Sequence, residues 1–223
     1  MYHFKFFSLI VCSGGIDQMK IALFGAHGRV GQAFLRFVKE DDRYMVRSLI
    51  RTNREEMLAG MFQVTGNSRN QEDVLETIKG SDIVVSCLST DGDDTLSVSM
   101  EHIVQAMKQT GTSRIITIGT AGILKARQQP ELYRFETNES RRTTSRAAKE
   151  HAKAFEILQS TELDWTIICP TYLPDGEVTR SYRYEKNFLP IDGQKISVED
   201  TAHFLYQQLN SKEFVHQRVG IAY

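Results

Sequence analysis

The sequence predicts an α/β fold, doubly wound, with a mostly parallel sheet and helices on both faces. Two observations predict it. Short apolar runs alternate with segments of helical spacing along most of the chain, which is the pattern of βαβ units. A turn with glycines at 25, 28 and 31 follows the first apolar run and opens the first helical segment.

The elements follow in order. Residues 20–24 are an apolar run that ends at glycine, the first strand. Val30, Phe34, Leu35 and Val38 then repeat at helical spacing. Residues 45–50 read as a second strand, 55–60 as a short helical turn and 62–64 as a third strand. Residues 71–79 are helical and 82–87 form a buried strand. Residues 97–110 are helical, with Ile103, Ala106 and Met107 on one face, and 114–118 are the next strand. A polar loop from 125 to about 143 precedes a long helix at 145–159. The strand at 165–169 is stopped by Pro170, which has no amide hydrogen to donate. In the tail, 178–184 and 195–198 read as extended and 199–208 as a helix capped by Ser197 or the acidic pair after it. Residues 218–223 read as a last strand.

The chain has 223 residues, a length that favours one domain. Met19 stands directly before the first strand, so the reading divides the chain into an N-terminal extension at 1–18 and a single domain at 19–223. The run FFSLIVC near the start is far shorter than the roughly 18–20 apolar residues of a membrane span. Lys and Arg total 27 against 28 Asp and Glu, which argues against nucleic acid as a partner. Cys12, Cys87 and Cys169 form no even framework and no C-x-x-C pair, so the chain reads as cytoplasmic, without structural zinc. No H-x-x-x-H spacing occurs, and Asp91-Gly92-Asp93-Asp94 lacks the later ligands of a calcium loop. No metal site is expected.

Gly25-Ala26-His27-Gly28-Arg29-Val30-Gly31 carries the chemistry. Glycine at 25 permits the tight turn, at 28 a close approach of backbone to a pyrophosphate, and at 31 close packing of helix on strand. The free amides of the helix N-terminus attract phosphate. In a βαβ setting this predicts that the turn binds a dinucleotide. NAD binders place Asp or Glu at the end of the second strand to hold the ribose 2′-hydroxyl. Here the strand ends Leu49-Ile50-Arg51-Thr52-Asn53-Arg54. Arg51 and Arg54, joined by Arg29, are placed to converge on a 2′-phosphate, which suits the guanidinium fork. NADP(H) is therefore preferred over NAD(H).

These residues resemble a known family. MKIALFGAHGRVG, the strand ends SLIR and VVSCLS, and IITIGTAGIL are similar to atypical short-chain dehydrogenases. STELDWTIICPTYLPDGEVTRSYR and the ending ISVEDTAHFLYQQL…HQRVGIAY are similar to bacterial NADH-flavin reductases and to the biliverdin reductase B/flavin reductase group. The resemblance spans residues 19–223. It implies a Rossmann-like fold, a bound NAD(P)(H) and hydride transfer to a flavin, quinone or similar conjugated acceptor. It matches Gly25, His27, Gly28, Arg29, Val30 and Gly31 to the phosphate turn and Arg51 to the 2′-phosphate contact. Leu88 and Ser89 match the segment lining the ribose, Thr120 a hydroxyl beside the nicotinamide, and Pro170 a residue packing near it. His151 matches a histidine on the long helix and is a candidate proton donor; Lys149 matches a lysine beside the ribose. Asn67 replaces an acidic residue that many relatives have near the adenine.

The wider superfamily places Tyr-x-x-x-Lys on the long helix for proton transfer. This chain has Ser145-x-x-x-Lys149 there, and its one Tyr-x-x-x-Lys, Tyr182 to Lys186, falls in the extended tail. That departure disfavours alcohol, ketone and epimerase chemistry. It leaves reduction of a conjugated acceptor open, since solvent can supply the proton. The alternative is a non-catalytic NADP(H)-binding redox sensor of the NmrA type. As an enzyme of this size, the protein reads as a monomer or homodimer.

Overall fold

The protein is described by a computed structural model over residues 18–52, 61–140 and 144–223. The elements are β1 (Met19–Phe24), α1 (Arg29–Lys39), β2 (Tyr44–Ile50), β3 (Phe62–Thr65), α2 (Gln71–Ile78), β4 (Ile83–Ser86) and α3 (Thr95–Thr110). They continue with β5 (Arg114–Ile118), α4 (Arg146–Gln159), β6 (Asp164–Pro170), β7 (Arg183–Lys186), α5 (Val198–Gln207) and β8 (Gln217–Ala222). Residues 55–60, read as a helical turn, lie outside the described residues, as do 1–17 of the N-terminal extension.

The sheet order is β3-β2-β1-β4-β5-β6-β8-β7. All pairs are parallel except β7 on β8. The chain runs outward from β1 through β2 to β3 on one side, then returns to place β4 on the other. That reversal opens a crevice at the carboxyl ends of β1 and β4, where ligands bind in open α/β sheets.

Side chains alternate across each strand, so each strand feeds both faces. Ile21 and Leu23 of β1 pack with Phe34, Val38, Phe204 and Leu205 on the α1/α5 side. Ala22 and Phe24 pack with Val74, Met100, Ile103 and Phe155 on the α2/α3/α4 side. Residues 21–24 are wholly buried, as the double covering requires. Asn70 caps α2 by accepting from the Asp73 amide at 3.0 Å, and Ser197 caps α5 by accepting from the Asp200 amide at 3.0 Å. Gly111, at φ +76°, ends α3 in the left-handed conformation. No helix of the described residues is long and apolar enough to cross a membrane.

Two stretches differ from the sequence reading. Pro170 is the last residue of β6 instead of the residue that follows it. The extended segment expected at 178–184 is ladder only from Arg183 onward. The wholly buried Asp200 carboxylate accepts from the amides of Thr179 (2.9 Å) and Arg180 (2.8 Å), the Thr179 hydroxyl (2.6 Å) and the Tyr223 hydroxyl (2.8 Å). Amides spent on a carboxylate cannot join a sheet. Tyr182 donates its hydroxyl toward Gln207 and sits 2.8 Å from the His203 ring nitrogen on α5, so Tyr182 and Lys186 form no catalytic pair.

Candidate functional site

The glycine turn sits at the head of the crevice. Gly25 has φ +80°, and a Cβ there would lie 2.6 Å from the Cys87 carbonyl and 2.8 Å from the Leu88 amide nitrogen. The turn and the end of β4 touch through backbone alone, which brings Gly25 and Leu88 together. A Cβ at Gly31 would lie 2.2 Å from the Gly25 oxygen, so α1 also packs on the turn by backbone. Gly28 is the N-cap of α1, and its amide donates to the Gly25 oxygen at 3.0 Å. No side chain caps this end. Val30 is buried, and the His27 carbonyl accepts from the Gln32 side chain at 2.8 Å. A notch walled by backbone at an uncapped helix N-terminus fits a pyrophosphate.

Arg29 has partners that the sequence did not reveal. Its guanidinium donates to the Leu173 carbonyl (2.9 Å) and to the Asp175 carboxylate (3.1 Å) in the loop after β6. Arg51 is exposed just past β2. Arg54 lies outside the described residues, so the expected convergence of three arginines rests here on Arg51 alone at the β2 end.

Beyond the turn, a cleft of about 1040 Å³ opens past the ends of β5 and β6. Thr120 lines it and caps a short 3-10 turn, Ala121–Ile123, by accepting from the Gly122 amide at 3.5 Å. Arg218 of β8 supports this turn from beneath. Its buried guanidinium lies 4.2 Å from the Phe155 ring centre and donates to the Ile123 carbonyl. Burial holds the Arg218 pKa below the usual arginine range. Leu88 is half-buried against the core, Ser89 is exposed, and Pro170 is buried at the end of β6.

The long helix divides its candidates. Ser145 and Ala148 line the cleft. Lys149 instead lines a neighbouring hollow of about 450 Å³ with Asp93, Asp94, Arg146 and Lys153. His151 is half-buried on α4 and lines neither. Cys87 and Cys169 are buried, and burial pushes both thiols up to about 12; they stay protonated and are packing residues.

Sequence reading missed much of the cleft wall: Phe135, Phe188 and Tyr172, the last 66% exposed. The only signal for Tyr172 was its place two residues after Pro170 at a strand end.

The sequence profile of the NAD(P)H-binding family matches residues 25–212. The chain belongs to that family. Among curated relatives, it is 25% identical over 206 residues to YhfK of Bacillus subtilis, described as an "uncharacterized sugar epimerase", covering 87% of this chain and 89% of YhfK. Among solved structures, it is similar to a "putative NADH-flavin reductase" of Streptococcus pneumoniae. The TM-score is 0.78 at 23% identity, over 92% of this chain and 99% of that one. It is also similar to ChuY, an anaerobilin reductase of Escherichia coli O157:H7. There the TM-score is 0.75 at 20% identity, over 92% and 97%. At these identities the two structures establish the Rossmann-like fold.

Proposed function

We propose that the protein is an NAD(P)H-dependent oxidoreductase, preferring NADP(H), that reduces a flavin, quinone or similar flat conjugated acceptor. One observation carries the reading: the backbone-walled glycine notch and a large cleft with aromatic walls lie at the carboxyl edge of the same parallel sheet, and the α4 end of that cleft carries Ser145, with no tyrosine on the helix. When bound, a reduced nicotinamide supplies hydride, and the acceptor takes it with one solvent proton to become its two-electron-reduced form.

The chain's own residues bind and orient. Gly25, Gly28 and Gly31 shape the notch, and the first amides of α1 face it. Arg51 is the candidate contact for a 2′-phosphate. Thr120 is the cleft hydroxyl we assign to the nicotinamide end, held in place by its own turn and by Arg218 beneath. His151 lies off the cleft, so Thr120 carries the catalytic assignment. Tyr172, Phe135 and Phe188 offer flat apolar faces that align a ring and exclude water.

The description of YhfK favours an epimerase reading, but the missing tyrosine on α4 argues against it here. Mixing protein, NADPH and FMN and following absorbance at 340 nm tests the proposal. Oxidation that requires both protein and acceptor supports it. No turnover across flavins, quinones and tetrapyrroles, with equally tight binding of NADPH and NADP+, would replace it with the redox-sensor reading.

A further inference from the structure

The cleft carries four cationic side chains in its wall: Lys125, Arg127, Arg134 and Lys195. Two are committed internally. Arg127 grips the Glu185 carboxylate with both terminal nitrogens (3.2 and 2.7 Å), donates to the Leu189 carbonyl at 2.8 Å and lies over the Phe188 ring. Arg134 pairs with Glu139 at 3.5 Å and donates to the Glu139 carbonyl at 2.8 Å. Among the described residues, neither the Lys125 nor the Lys195 ammonium has an ion-pair partner.

Their backbones are nevertheless fixed. The Lys125 amide donates to the Asn187 carbonyl at 2.9 Å, and the Lys195 carbonyl accepts from the Tyr223 amide at 2.9 Å. Lys195 also pairs with Tyr172 in an isolated bridge, so it stands beside the most exposed aromatic of the wall. With Arg127 and Arg134 neutralised, the remaining charges of the wall are these two lysines and one exposed carboxylate, Asp192. The balance is positive and lies next to flat rings.

We infer that the acceptor is a flat conjugated ring bearing an anionic tail, phosphate or carboxylate, and that Lys125 and Lys195 read that tail. This rests on the reductase reading for the same cleft. An oxyanion accepts charge-assisted hydrogen bonds from ammonium groups, whereas a neutral analogue leaves the lysines in water and gains nothing from them.

The test compares acceptors that share a ring. Binding to the full-length protein is followed by flavin fluorescence for FMN against riboflavin. Competition with bound FMN is used for anthraquinone-2-carboxylate against its carboxamide. The first pair tests a phosphate tail and the second a carboxylate. The anionic member should bind about tenfold tighter in at least one pair, the equivalent of one modest charge-assisted contact. Raising the salt should shrink that ratio. The Lys125→Gln/Lys195→Gln variant should bring it close to one, with thermal melting confirming the fold and each single variant giving an intermediate ratio. Equal binding within both pairs, no binding of any member, or a preference that survives in the double variant would overturn the inference. Absence of NADPH oxidation alongside an intact anion preference would overturn the reductase reading and leave the anion site standing.

Discussion

Replacing Gly28 with alanine should separate cofactor binding from folding. Gly28 has φ −71° and ψ 160°, backbone that any residue adopts. The new methyl would stand 3.3 Å from the Gly25 oxygen and 3.6 Å from the Cys87 oxygen, so the turn yields by only a few tenths of an ångström. Helix N-caps accept glycine more readily than alanine, and the expected loss of stability is about 1 kcal/mol. For a domain of this size that is about 2–4 °C in Tm. Binding should fall much further, because the methyl intrudes on the notch we assign to the pyrophosphate. Losing one charge-assisted hydrogen bond costs about 1.5–3 kcal/mol, or roughly 10- to 150-fold in Kd. Thermal melting and fluorescence titration with NADPH measure the two quantities on the same sample. A folded Gly28→Ala protein with unchanged Kd would refute the assignment of the notch. Gly31→Ala is the contrast. Its methyl would sit 2.2 Å from the Gly25 oxygen, so turn and helix must part. Stability and affinity should fall together, even though alanine gains about 1 kcal/mol in helix propensity.

Three further outcomes are expected. Arg51→Glu should weaken NADPH about tenfold or more while changing NADH far less, since the guanidinium suits a 2′-phosphate; equal effects in parallel titrations would remove the basis for cofactor preference. Asp175→Asn frees Arg29 from an exposed ion pair, so Tm should stay almost constant while calorimetry shows NADPH binding a few-fold tighter; weaker binding would count against a phosphate role for Arg29. Asp200 gives a pH signature. Burial pulls its carboxyl upward, but hydrogen bonds from Thr179, Arg180 and Tyr223 outweigh that and hold it below the ordinary value. The folded chain therefore protonates Asp200 at lower pH than the unfolded chain does. The stabilisation is complete above the unfolded pKa, about 3.9, and is lost as pH falls through the folded value. Asp200→Asn should cost about 2–4 kcal/mol at pH 7, and urea unfolding should show the gap to the native protein narrowing at pH 3; a constant gap would refute the linkage.

Most of the fold is legible in the sequence because it is written in periodicity. β5 and α4 fall within a residue of the expected bounds, since Ile115 and Ile116 or Ala148, Ala152 and Phe155 must be buried for those elements to exist. The β7 boundary is not legible. It depends on the Asp200 carboxylate capturing two amides some twenty residues away in sequence. The glycine notch is legible because each glycine answers a steric demand at a fixed spacing. The cleft wall is not. Thr120 follows β5, Ala148 lies on α4, Tyr172 follows β6, and Phe188 and Lys195 lie between β7 and α5, with no common period; only the fold brings them together. Arg29 shows the same limit, since its partners lie 144 and 146 residues further along the chain.

The position of β8 has a bearing on the order of assembly. It is the last strand of the sequence, yet it lies between β6 and β7. The chain is made from its N-terminus, and β1 to β5 already contain the notch and its neighbours. The wall that includes Phe188 and Lys195 is tied to Lys125 and Tyr172 and gains its last backbone anchors only when residues 217–223 arrive, because the Asn187 amide bonds to Arg218 and the Tyr223 amide to Lys195. The glycine turn is therefore made early, and the wall of the cleft is completed last. A shortened chain lacking 217–223 would lose these anchors together with Val219 and Ile221, which share a core with Ile21, Leu23 and Phe34 beneath the glycine turn.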